Sequence, residues 1–503
     1  MLTALLCVSA MLTGAEAGSV DVGPRLELLV DDFLVESVTG AAAFRLHEPV
    51  PQEIVITHDE PWEGNSCSYH TIFQDGPLYR MYYKCAEQKL LGEPPAHDIV
   101  IGYAHSIDGI HWVKPELGLF EFEGSTRNNI VWSAEGSHDF NPFIDTNPVC
   151  PPEERYKAVG MRTSEPRGLY AWASPDGLHW RQLGQGPIVT LGAFDTQNVA
   201  FWDAARGEYR CYTRDFRRTP GVEHGVRDVR TATSPDFAAW SEPAWLEYPG
   251  APVEQLYTNQ IIPYYRAPHI FLGFPTRYLD RGWSPSMEAL PEPEHRHKRS
   301  EASPREGTAL TDGLFMTSRD AHTFRRWERT FLRPGLRTRH NWVYGDNYQN
   351  WGIVETASPM PGAPREISIY ATESYWTGDS SMLRRFTLRV DGFVSLRAEW
   401  RGGEIITKPL VFAGNALSLN FATSAAGAIA IEIQDAAGTP LEGYALADCP
   451  PLFGDSIARI VTWKSGIDIS SLAGRPIRLR FVMRDADLYS LQFVQETVNR
   501  KEG

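Results

Sequence analysis

The chain has 503 residues, of which 42% are hydrophobic, 12% aromatic and 22% charged, and its formal net charge is −15. This length suits two or three domains. The acidic balance argues against a nucleic-acid partner, and no stretch after the N-terminal segment is long and apolar enough to span a membrane.

The N-terminal segment, residues 1–17, is a short apolar run that ends in Ala15-Glu16-Ala17. This ending matches the small-residue cleavage pattern of a signal peptide, although no lysine or arginine precedes the apolar run. We expect cleavage near Ala17 and a secreted or periplasmic protein. An odd number of cysteines without CxxC spacing then remains, which argues against a disulfide framework or a zinc site: Cys67, Cys85, Cys150, Cys211 and Cys449.

A heptapeptide repeats along the chain. SIDGIHW at 106–112 returns as SPDGLHW at 174–180, and in weaker form as SPDFAAW at 234–240 and SRDAHTF at 318–324. Asp-Gly between strand-like runs indicates a hairpin, because glycine tolerates the positive φ of a tight turn. These repeats predict structural turns on outer hairpins, away from any pocket.

Each of the four repeats follows a pair of predicted strands, and a fifth pair at 348–373 precedes the hairpin RRFTLRVDGFVSL at 384–396. The chain to residue 400 therefore holds five units of about four short strands. Such repetition predicts an all-β fold with a five-bladed β-propeller over 18–400. The first predicted strand, with Asp31 and Asp32, is a candidate to close the last blade. From residue 401 to 503 apolar and polar residues alternate between turns, which predicts a C-terminal β-sandwich.

Charged residues recur at equivalent positions of the five units. The starts of the first strands carry acids and amides, as in Asp139–Asn141 and Asp346–Asn350, and the ends of the second strands carry Lys84, Arg162 and their equivalents. Buried charge is expensive unless it is paired. These two sets of equivalent positions, which we call the polar columns, therefore predict a water-filled pocket along the propeller axis. For part of these residues, ion pairs between blades are the alternative.

Paired carboxyl groups in a polar pocket are the requirement of glycosidic bond cleavage, where one protonates the leaving oxygen and another attacks or activates water. The candidate catalytic residues are Asp215, Glu254, Asp195 and Glu373. The candidate sugar-binding residues are His70, Asn198, Arg214, Asn259, Arg277, Asp346 and Trp351, where Trp351 could stack on a sugar ring. We expect Arg214 to keep Asp215 ionised, and Glu254, without an adjacent cation, to donate the proton.

The segments LLVDDFL at 28–34 and YRCYTRDFR at 209–217 carry a family resemblance. The chain resembles uncharacterised secreted bacterial proteins grouped as glycoside hydrolase family 32-like and, more distantly, the invertase and arabinanase-like five-bladed propellers. In invertases an Arg-Asp motif supplies a carboxylate that stabilises the transition state, which the resemblance assigns to Asp215. The invertase nucleophile motif NDPNG is replaced by NSCSYH at 65–70, and the region of the acid/base reads EQLYTNQIIPYY.

A polar insertion at 281–313 interrupts the fourth unit. Long loops in compact domains are often functional, and this one could cover the channel mouth and bring His295–Arg299 to an anionic sugar. No spacing calls for a cofactor or a metal ion, and a structural calcium in the channel is left open.

The sequence thus predicts a secreted glycoside hydrolase that removes terminal sugars from a poly- or oligosaccharide. A non-catalytic carbohydrate-binding propeller is an alternative. A polysaccharide lyase or glycoside phosphorylase on the same scaffold is another, and Tyr257, His70 and Arg277 would serve a lyase.

Overall fold

The computed structural model describes residues 18–89, 95–339, 341–378 and 380–497. They form two compact units. One is Leu46–Val390, and the other combines the chain up to Arg45 with the chain from Asp391 onward. The predicted signal peptide, residues 1–17, lies outside the described residues. Within the described ranges, no helix has both the length and the apolar character needed to cross a membrane.

The unit Leu46–Val390 contains five antiparallel sheets of four strands, which we call blades 1 to 5. In order from the first to the fourth strand of each sheet, the strands are Ser68–Asp75, Leu78–Cys85, Val100–Ser106 and Ile130–Trp132 in blade 1; Asn141–Ile144, Tyr156–Arg162, Gly168–Ser174 and Arg181–Leu183 in blade 2; Val199–Asp203, Glu208–Thr219, Val222–Ser234 and Ala244–Trp245 in blade 3; Ile262–Tyr264, Ala267–Gly273, Met316–Ser318 and Arg325–Arg326 in blade 4; and Val354–Thr356, Glu366–Glu373, Met382–Arg389 and Val50–Thr57 in blade 5.

A ring of hydrogen bonds joins the five blades around a common axis. The Thr71 hydroxyl donates to Asn141 Oδ1, and Gln197 Nε2 donates to Thr71 Oγ1 at 3.0 Å. Gln260 Nε2 in turn donates to Gln197 Oε1 at 2.5 Å and to the Gln349 carbonyl at 2.8 Å. Each of these residues lies on, or just before, the first strand of a different blade. The unit is therefore a five-bladed β-propeller, and the fold prediction is confirmed.

The strand Val50–Thr57 closes the propeller. It precedes blade 1 in the chain, yet it pairs antiparallel with Met382–Arg389 as the fourth strand of blade 5. The sequence analysis offered an earlier strand, with Asp31 and Asp32, for this closing position. That assignment is wrong, because residues 18–45 belong to the other unit.

The other unit is a β-sandwich built on one eight-stranded sheet that folds over its own core. Two long strands change register against a third, Ile477–Val494. The shifts lie between Ala398 and Gly403 in one strand and between Thr423 and Ala428 in the other. Such bulges let one strand pass from one layer to the other. The strands are Val20–Gly23, Glu27–Leu28, Val35–Leu46, Val394–Thr407, Leu410–Phe412, Ala416–Asp435, Asp455–Ile460 and Ile477–Val494.

The sandwich therefore takes residues from both ends of the chain, whereas the sequence analysis placed it at 401–503. The strands at Val20–Gly23 and Glu27–Leu28 pair with Leu410–Phe412 and Ile477–Val494. Alternation of apolar and polar residues identifies a strand but not the sheet that it joins. The predicted boundaries 18–400 and 401–503 differ from the observed ones for that reason.

The repeated heptapeptides form the turns between third and fourth strands of blades 1 to 4. In the first repeat, Asp108 Oδ1 accepts from the backbone N–H groups of Ile110 and His111 at 2.8 Å each. Ser106 Oγ accepts from the Gly109 N–H at 2.9 Å. The other three repeats form the same bonds around their own aspartates.

Tyrosines of neighbouring blades bind these turns. Tyr370 OH in blade 5 donates to the Gly109 carbonyl at 2.5 Å, and Tyr82 OH in blade 1 donates to the Gly177 carbonyl at 3.0 Å. In each antiparallel blade the third strand runs in the same direction as the first. Its last residue therefore lies at the end of the blade that is away from the start of the first strand. The repeats thus connect blades at the end of the propeller away from the polar columns.

The predicted polar insertion folds against blade 4. It contains the helices Pro285–Glu288, Pro293–Ala302 and Pro304–Thr308. A small sheet flanks them, with strands Gln255–Leu256, Thr276–Asp280 and Ala309–Gly313. Short 3₁₀ turns complete the described elements at Pro152–Glu154, Leu446–Asp448 and Ser470–Leu472.

Candidate active site

The first strands start, and the second strands end, at one end of the propeller axis, which we call the entrance end. Several non-glycine residues here adopt positive φ: Tyr69 (56°), Gln260 (45°), Asn347 (59°) and Trp376 (57°). Such backbone is unfavourable and persists where the surroundings impose it, commonly at functional sites. The entrance end is therefore the candidate location of an active site.

A cluster of buried aromatic residues lies at this end, and we call it the tyrosine cluster: Tyr69, Tyr257, Tyr278, Tyr344, Tyr348, Tyr375 and Trp376. Tyr348 stacks on Tyr69 and on Tyr257, with ring centroids 5.9 and 5.4 Å apart. The hydroxyls of Tyr257 and Tyr344 lie 2.7 Å apart. Buried hydroxyl groups need hydrogen-bond partners, and the Tyr348 hydroxyl has none among the described residues.

Asp139 in blade 2 is fully buried beside this cluster. Its Oδ1 accepts from the Met161 N–H at 2.8 Å, and its Oδ2 accepts from Asn198 Nδ2 at 2.5 Å. Burial raises the pKa of Asp139 to about 8, although these hydrogen bonds and Lys84 act in the opposite direction. Asp139 is therefore protonated at neutral pH.

Asn198 connects Asp139 to the loop that carries Asp195. The same Asn198 amide that binds Asp139 also donates to the carbonyls of Phe194 and Thr196, at 2.8 and 2.9 Å. The Asp195 carboxylate is 59% exposed and forms an ion pair with Arg214. One amide thus binds the buried Asp139 carboxyl group and the backbone on both sides of Asp195, whose own carboxylate lies at the surface with a cation.

Arg214 joins this pair to the tyrosine cluster. Its guanidinium lies 5.0 Å from the centre of the Tyr257 ring, and its side chain is only 2% exposed. Among the described residues, its Nε and Nη1 atoms have no hydrogen-bond partner. Buried N–H groups without acceptors indicate a missing water or ligand.

Tyr257 lies between two guanidinium groups. Arg214 and Arg227 stand 5.0 and 5.6 Å from its ring centre. Burial acts to raise the pKa of the Tyr257 hydroxyl, but Arg214, the hydrogen bond with Tyr344 and Arg227 bring it below its usual value. This tyrosine loses its proton more readily than an ordinary one.

A second buried carboxyl group, Asp346, lies beside blade 5. Its Oδ1 accepts from the Tyr375 N–H at 2.9 Å, while Oδ2 has no partner among the described residues. Burial raises the pKa of Asp346 well above its usual range, and Glu373 adds to this effect. Asp346 and Glu373 also line a cavity of about 350 Å³.

The insertion contacts the tyrosine cluster directly. The Arg299 guanidinium lies 4.3 Å from the centre of the Trp376 ring, and His295 Nε2 lies 2.8 Å from the Trp376 carbonyl. Arg296 Nη2 donates to the Trp342 carbonyl at 2.7 Å. The helix Pro293–Ala302 thus lies against the tyrosine cluster at the entrance end, one of the placements that the sequence analysis left open.

A cleft of about 510 Å³ leads toward Asp139 between blades 1 and 2. His138 and Met161 line it, and these are the residue before Asp139 and the residue whose N–H binds Asp139. The ring of His138 also lies 6.0 Å from that of Tyr69. The cleft thus reaches residues next to Asp139, whose own side chain is fully buried and does not line it.

The sequence analysis named Asp195, Asn198, Arg214 and Asp346 among its site residues, and the structure brings all four to the entrance end. It did not select Asp139 or most of the tyrosines. A signal was present, since Tyr69, Tyr257 and Tyr348 each stand at the start of a first strand, in SYH, LYT and NYQ.

Three further predicted binders contact the protein itself. His70 Nε2 lies 3.1 Å from His58 Nε2, and Asn259 binds backbone atoms of Tyr212 and Ile261. Trp351 is buried and donates from Nε1 to the Ile261 carbonyl at 3.0 Å. Trp351 is thus a packing residue instead of the predicted platform for a sugar.

Asp215 and Glu254, the two predicted partners in catalysis, each form their own ion pairs. Asp215 Oδ2 accepts from Arg230 Nε at 2.8 Å. Because neighbouring residues of a strand point to opposite faces, Asp215 faces away from the site that Arg214 enters. The invertase-type role for Asp215 and its pairing with Glu254 find no support in this geometry.

Glu254 was expected to lack an adjacent cation, and this expectation is wrong. Its two oxygens accept from Arg277 at 2.7 Å and from Arg326 at 2.6 Å. Arg277 also binds Asp312, at 2.6 Å. Glu373 pairs with Arg384, with one bond at 3.0 Å. Glu254, Arg277 and Glu373 are thus members of salt-bridge networks.

The charged residues do not assemble into an evident metal centre. Among the described residues, no group of three or more histidine, cysteine, aspartate or glutamate side chains is placed to hold a metal ion.

No family model matches the chain. Two uncharacterised proteins from Mycobacterium tuberculosis are similar in sequence, with 29% identity over 149 residues and 30% over 154 residues. Each match covers 29% of this chain and 42% of the relative, so the chain spans less than half of these relatives.

Solved structures with a similar arrangement include a glycoside hydrolase with 12% identity and a TM-score of 0.42, covering 68% of this chain and 92% of that one. Another is a family 43 arabinoxylan arabinofuranohydrolase from Bacillus subtilis, with 11% identity, a TM-score of 0.38, and coverage of 87% and 97%. A third is the catalytic domain of a family 62 α-L-arabinofuranosidase from Coprinopsis cinerea, with 8% identity, a TM-score of 0.41, and coverage of 68% and 97%. At these TM-scores the neighbours do not indicate an activity for this chain.

Proposed function

We propose that the protein is a glycoside hydrolase that acts at the entrance end of the propeller, with Asp139 and Asp195 as its acid and its ionised carboxylate. The observation that carries this proposal is the Asn198 amide, which binds Asp139 and the Asp195 loop together. The environments of the two groups are opposite, since one is buried without a salt bridge and the other is exposed and paired with Arg214. Glycoside hydrolysis requires two carboxyl groups with separated pKa values.

The chemistry follows from the protonation of each group. Asp139, protonated at neutral pH, donates a proton to the leaving glycosidic oxygen. Asp195, which forms an ion pair with Arg214, attacks the anomeric carbon or activates a water molecule. The hydroxyl groups of the tyrosine cluster, which Arg214 contacts through Tyr257, can form hydrogen bonds with sugar hydroxyls.

The test is to replace each carboxyl group and to assay a panel of aryl glycosides and oligosaccharides. Asp139→Asn and Asp195→Asn should each lower kcat/KM by about 10²–10⁴-fold, the usual contribution of general acid–base catalysis. Asp215→Asn is the matched control, because it removes an ion-paired carboxylate of the neighbouring blade. Full activity in both site variants, with melting temperatures unchanged, would exclude these roles.

A second candidate is β-elimination in a uronic-acid polymer, and Tyr257 favours it. A lyase needs a base that removes a proton next to a carboxylate and a cation that neutralises this carboxylate. Tyr257, with its lowered pKa, and Arg214 could fill these roles.

The products separate the two candidates. Elimination leaves an unsaturated sugar that absorbs ultraviolet light, and hydrolysis does not. In a lyase, Tyr257→Phe should abolish turnover. In a hydrolase, Tyr257→Phe should leave much of the turnover, whereas Asp195→Asn should abolish turnover.

A further inference from the structure

The helical insertion places a buried cation against the tyrosine cluster. Arg299 lies on the helix Pro293–Ala302 and is only 1% exposed. Its guanidinium stacks on Trp376 at 4.3 Å. This stacking covers one face of the guanidinium and leaves the hydrogen-bonding edge for other partners.

The hydrogen-bonding edge of Arg299 is unsatisfied. Within the described chain, its Nε and Nη2 atoms have no hydrogen-bond partner, and no carboxylate forms an ion pair with it. The acids that act on it through space are Glu306, which lies 3.9 Å from Arg305, and Asp346, whose burial favours the neutral form. A buried, unpaired charge is strongly unfavourable, so this arginine lacks an anion.

Arg214 repeats this situation on the other side of the tyrosine cluster. Asp195 accepts from its Nη2 only, and the buried Nε and Nη1 atoms have no partner in the described part of the chain. Arg214 stacks on Tyr257, whose ring contacts that of Tyr344, which in turn contacts Tyr375, next to Trp376. A chain of buried rings, which meet edge to face, thus connects two guanidinium groups that each have N–H groups without a partner among the described residues.

We propose that the substrate of this site is an acidic glycan, whose carboxylate or sulfate groups bind Arg214 and Arg299. A guanidinium edge matches the two oxygens of a carboxylate or sulfate. The tyrosine cluster connects the two arginines, and its hydroxyl groups can form hydrogen bonds with the sugars that link those anionic groups. This inference rests on the proposed function for its site and adds the chemical class of the substrate.

The test is calorimetric binding of three probes to the full chain: an oligogalacturonate, a sulfated galactan oligosaccharide and a neutral galacto-oligosaccharide. One or both acidic probes should bind, and the neutral probe should bind at least about tenfold more weakly. The two acidic probes distinguish carboxylate from sulfate recognition. Equal affinity for all three probes, or no binding of either acidic probe, would overturn the proposal.

Variants then locate the contact. Arg299→Met and Arg214→Met should each weaken the acidic probe by about tenfold or more, as expected for lost charged hydrogen bonds. Arg127→Met is the matched control, since it removes an exposed arginine that pairs with Glu116. If either methionine variant fails to fold, the lysine variant, which keeps the charge but loses the planar edge, should still bind more weakly than the native protein. Unchanged affinity in the folded variants of both arginines would overturn the proposal.

The two proposals fail separately. If a neutral glycoside is cleaved in a way that depends on Asp139 and Asp195, the hydrolase stands and the acidic substrate falls. If acidic probes bind through Arg299 but no glycan is cleaved, the acidic ligand stands and the hydrolase falls.

Discussion

At the scale of residues, the site separates two aspartates by their surroundings. Asp139 is fully buried and accepts from two hydrogen-bond donors, and no cation among the described residues forms an ion pair with it. Asp195 has a guanidinium and contact with water. The fold thus gives two chemically identical groups opposite environments, which is the arrangement that the proposed acid–base mechanism needs.

The raised pKa of Asp139 has a consequence for stability. Between the pKa of an unfolded aspartate, 3.8, and the folded value of about 8, the folded state binds a proton that the unfolded state has lost. The contribution of this group is therefore fully present at low pH, and it declines by about 1.4 kcal/mol per pH unit as pH rises through that window.

Asp139→Asn should remove this decline. Thermal unfolding of the native protein and the variant at pH values between about 5 and about 7 gives the comparison. The native protein should lose stability relative to the variant as pH rises. Asp215→Asn is the control, since Asp215 pairs with Arg230 and is not fully buried. Parallel stability curves for Asp139→Asn and the native protein would contradict the raised pKa.

At the scale of elements, the turns and the site occupy opposite ends of each blade. The heptapeptide aspartates accept backbone N–H groups within their own turns, and tyrosines of neighbouring blades bind the same turns. None of this geometry reaches the carboxyl groups at the entrance end. Stability and chemistry are thus carried by different ends of the same strands.

Asp176→Ala tests this division. The change leaves the N–H groups of Leu178 and His179 without their acceptor and should destabilise the fold by about 1–3 kcal/mol. Activity per folded molecule should stay near the native value. Thermal melting and turnover measured on the same samples check both statements. Asp176→Asn, which keeps one acceptor oxygen, should lose less stability, and a loss of turnover without a change in melting would place the turn in the site instead.

The sequence predicts which segments form strands and turns better than it predicts which strands pair with one another. Five strand units, four turns and a change of texture near residue 400 are local patterns, and the structure has them. The partner of a strand is a long-range property. Local patterns therefore do not predict that Val50–Thr57 closes blade 5 or that Val20–Gly23 joins the sandwich.

The candidate site shows the same limit at the level of side chains. In TRD at 213–215 either Arg214 or Asp215 can face the axis, and local alternation does not say which one does. Arg326, one of the two arginines that bind Glu254, lies 72 residues from Glu254 in the chain. The sequence predicts which positions carry polar residues. Which of these residues form ion pairs with one another depends on the fold.

At the scale of the whole molecule, net charge and site charge differ in sign. The chain carries a formal charge of −15, which disfavours long polyanions such as nucleic acid. The entrance end nevertheless buries Lys84, Arg214 and Arg299. An acidic oligosaccharide, small enough to sit at these cations, meets a local environment that the overall charge does not describe.

The most direct test of the central claim is mass spectrometry of glycan products formed in water enriched in heavy oxygen. Hydrolysis at the entrance end predicts one heavy oxygen at each new reducing end with the native protein and Asp215→Asn, and almost none with Asp139→Asn or Asp195→Asn. Products that lack heavy oxygen and carry an unsaturated sugar, or full incorporation by both site variants, would contradict the account.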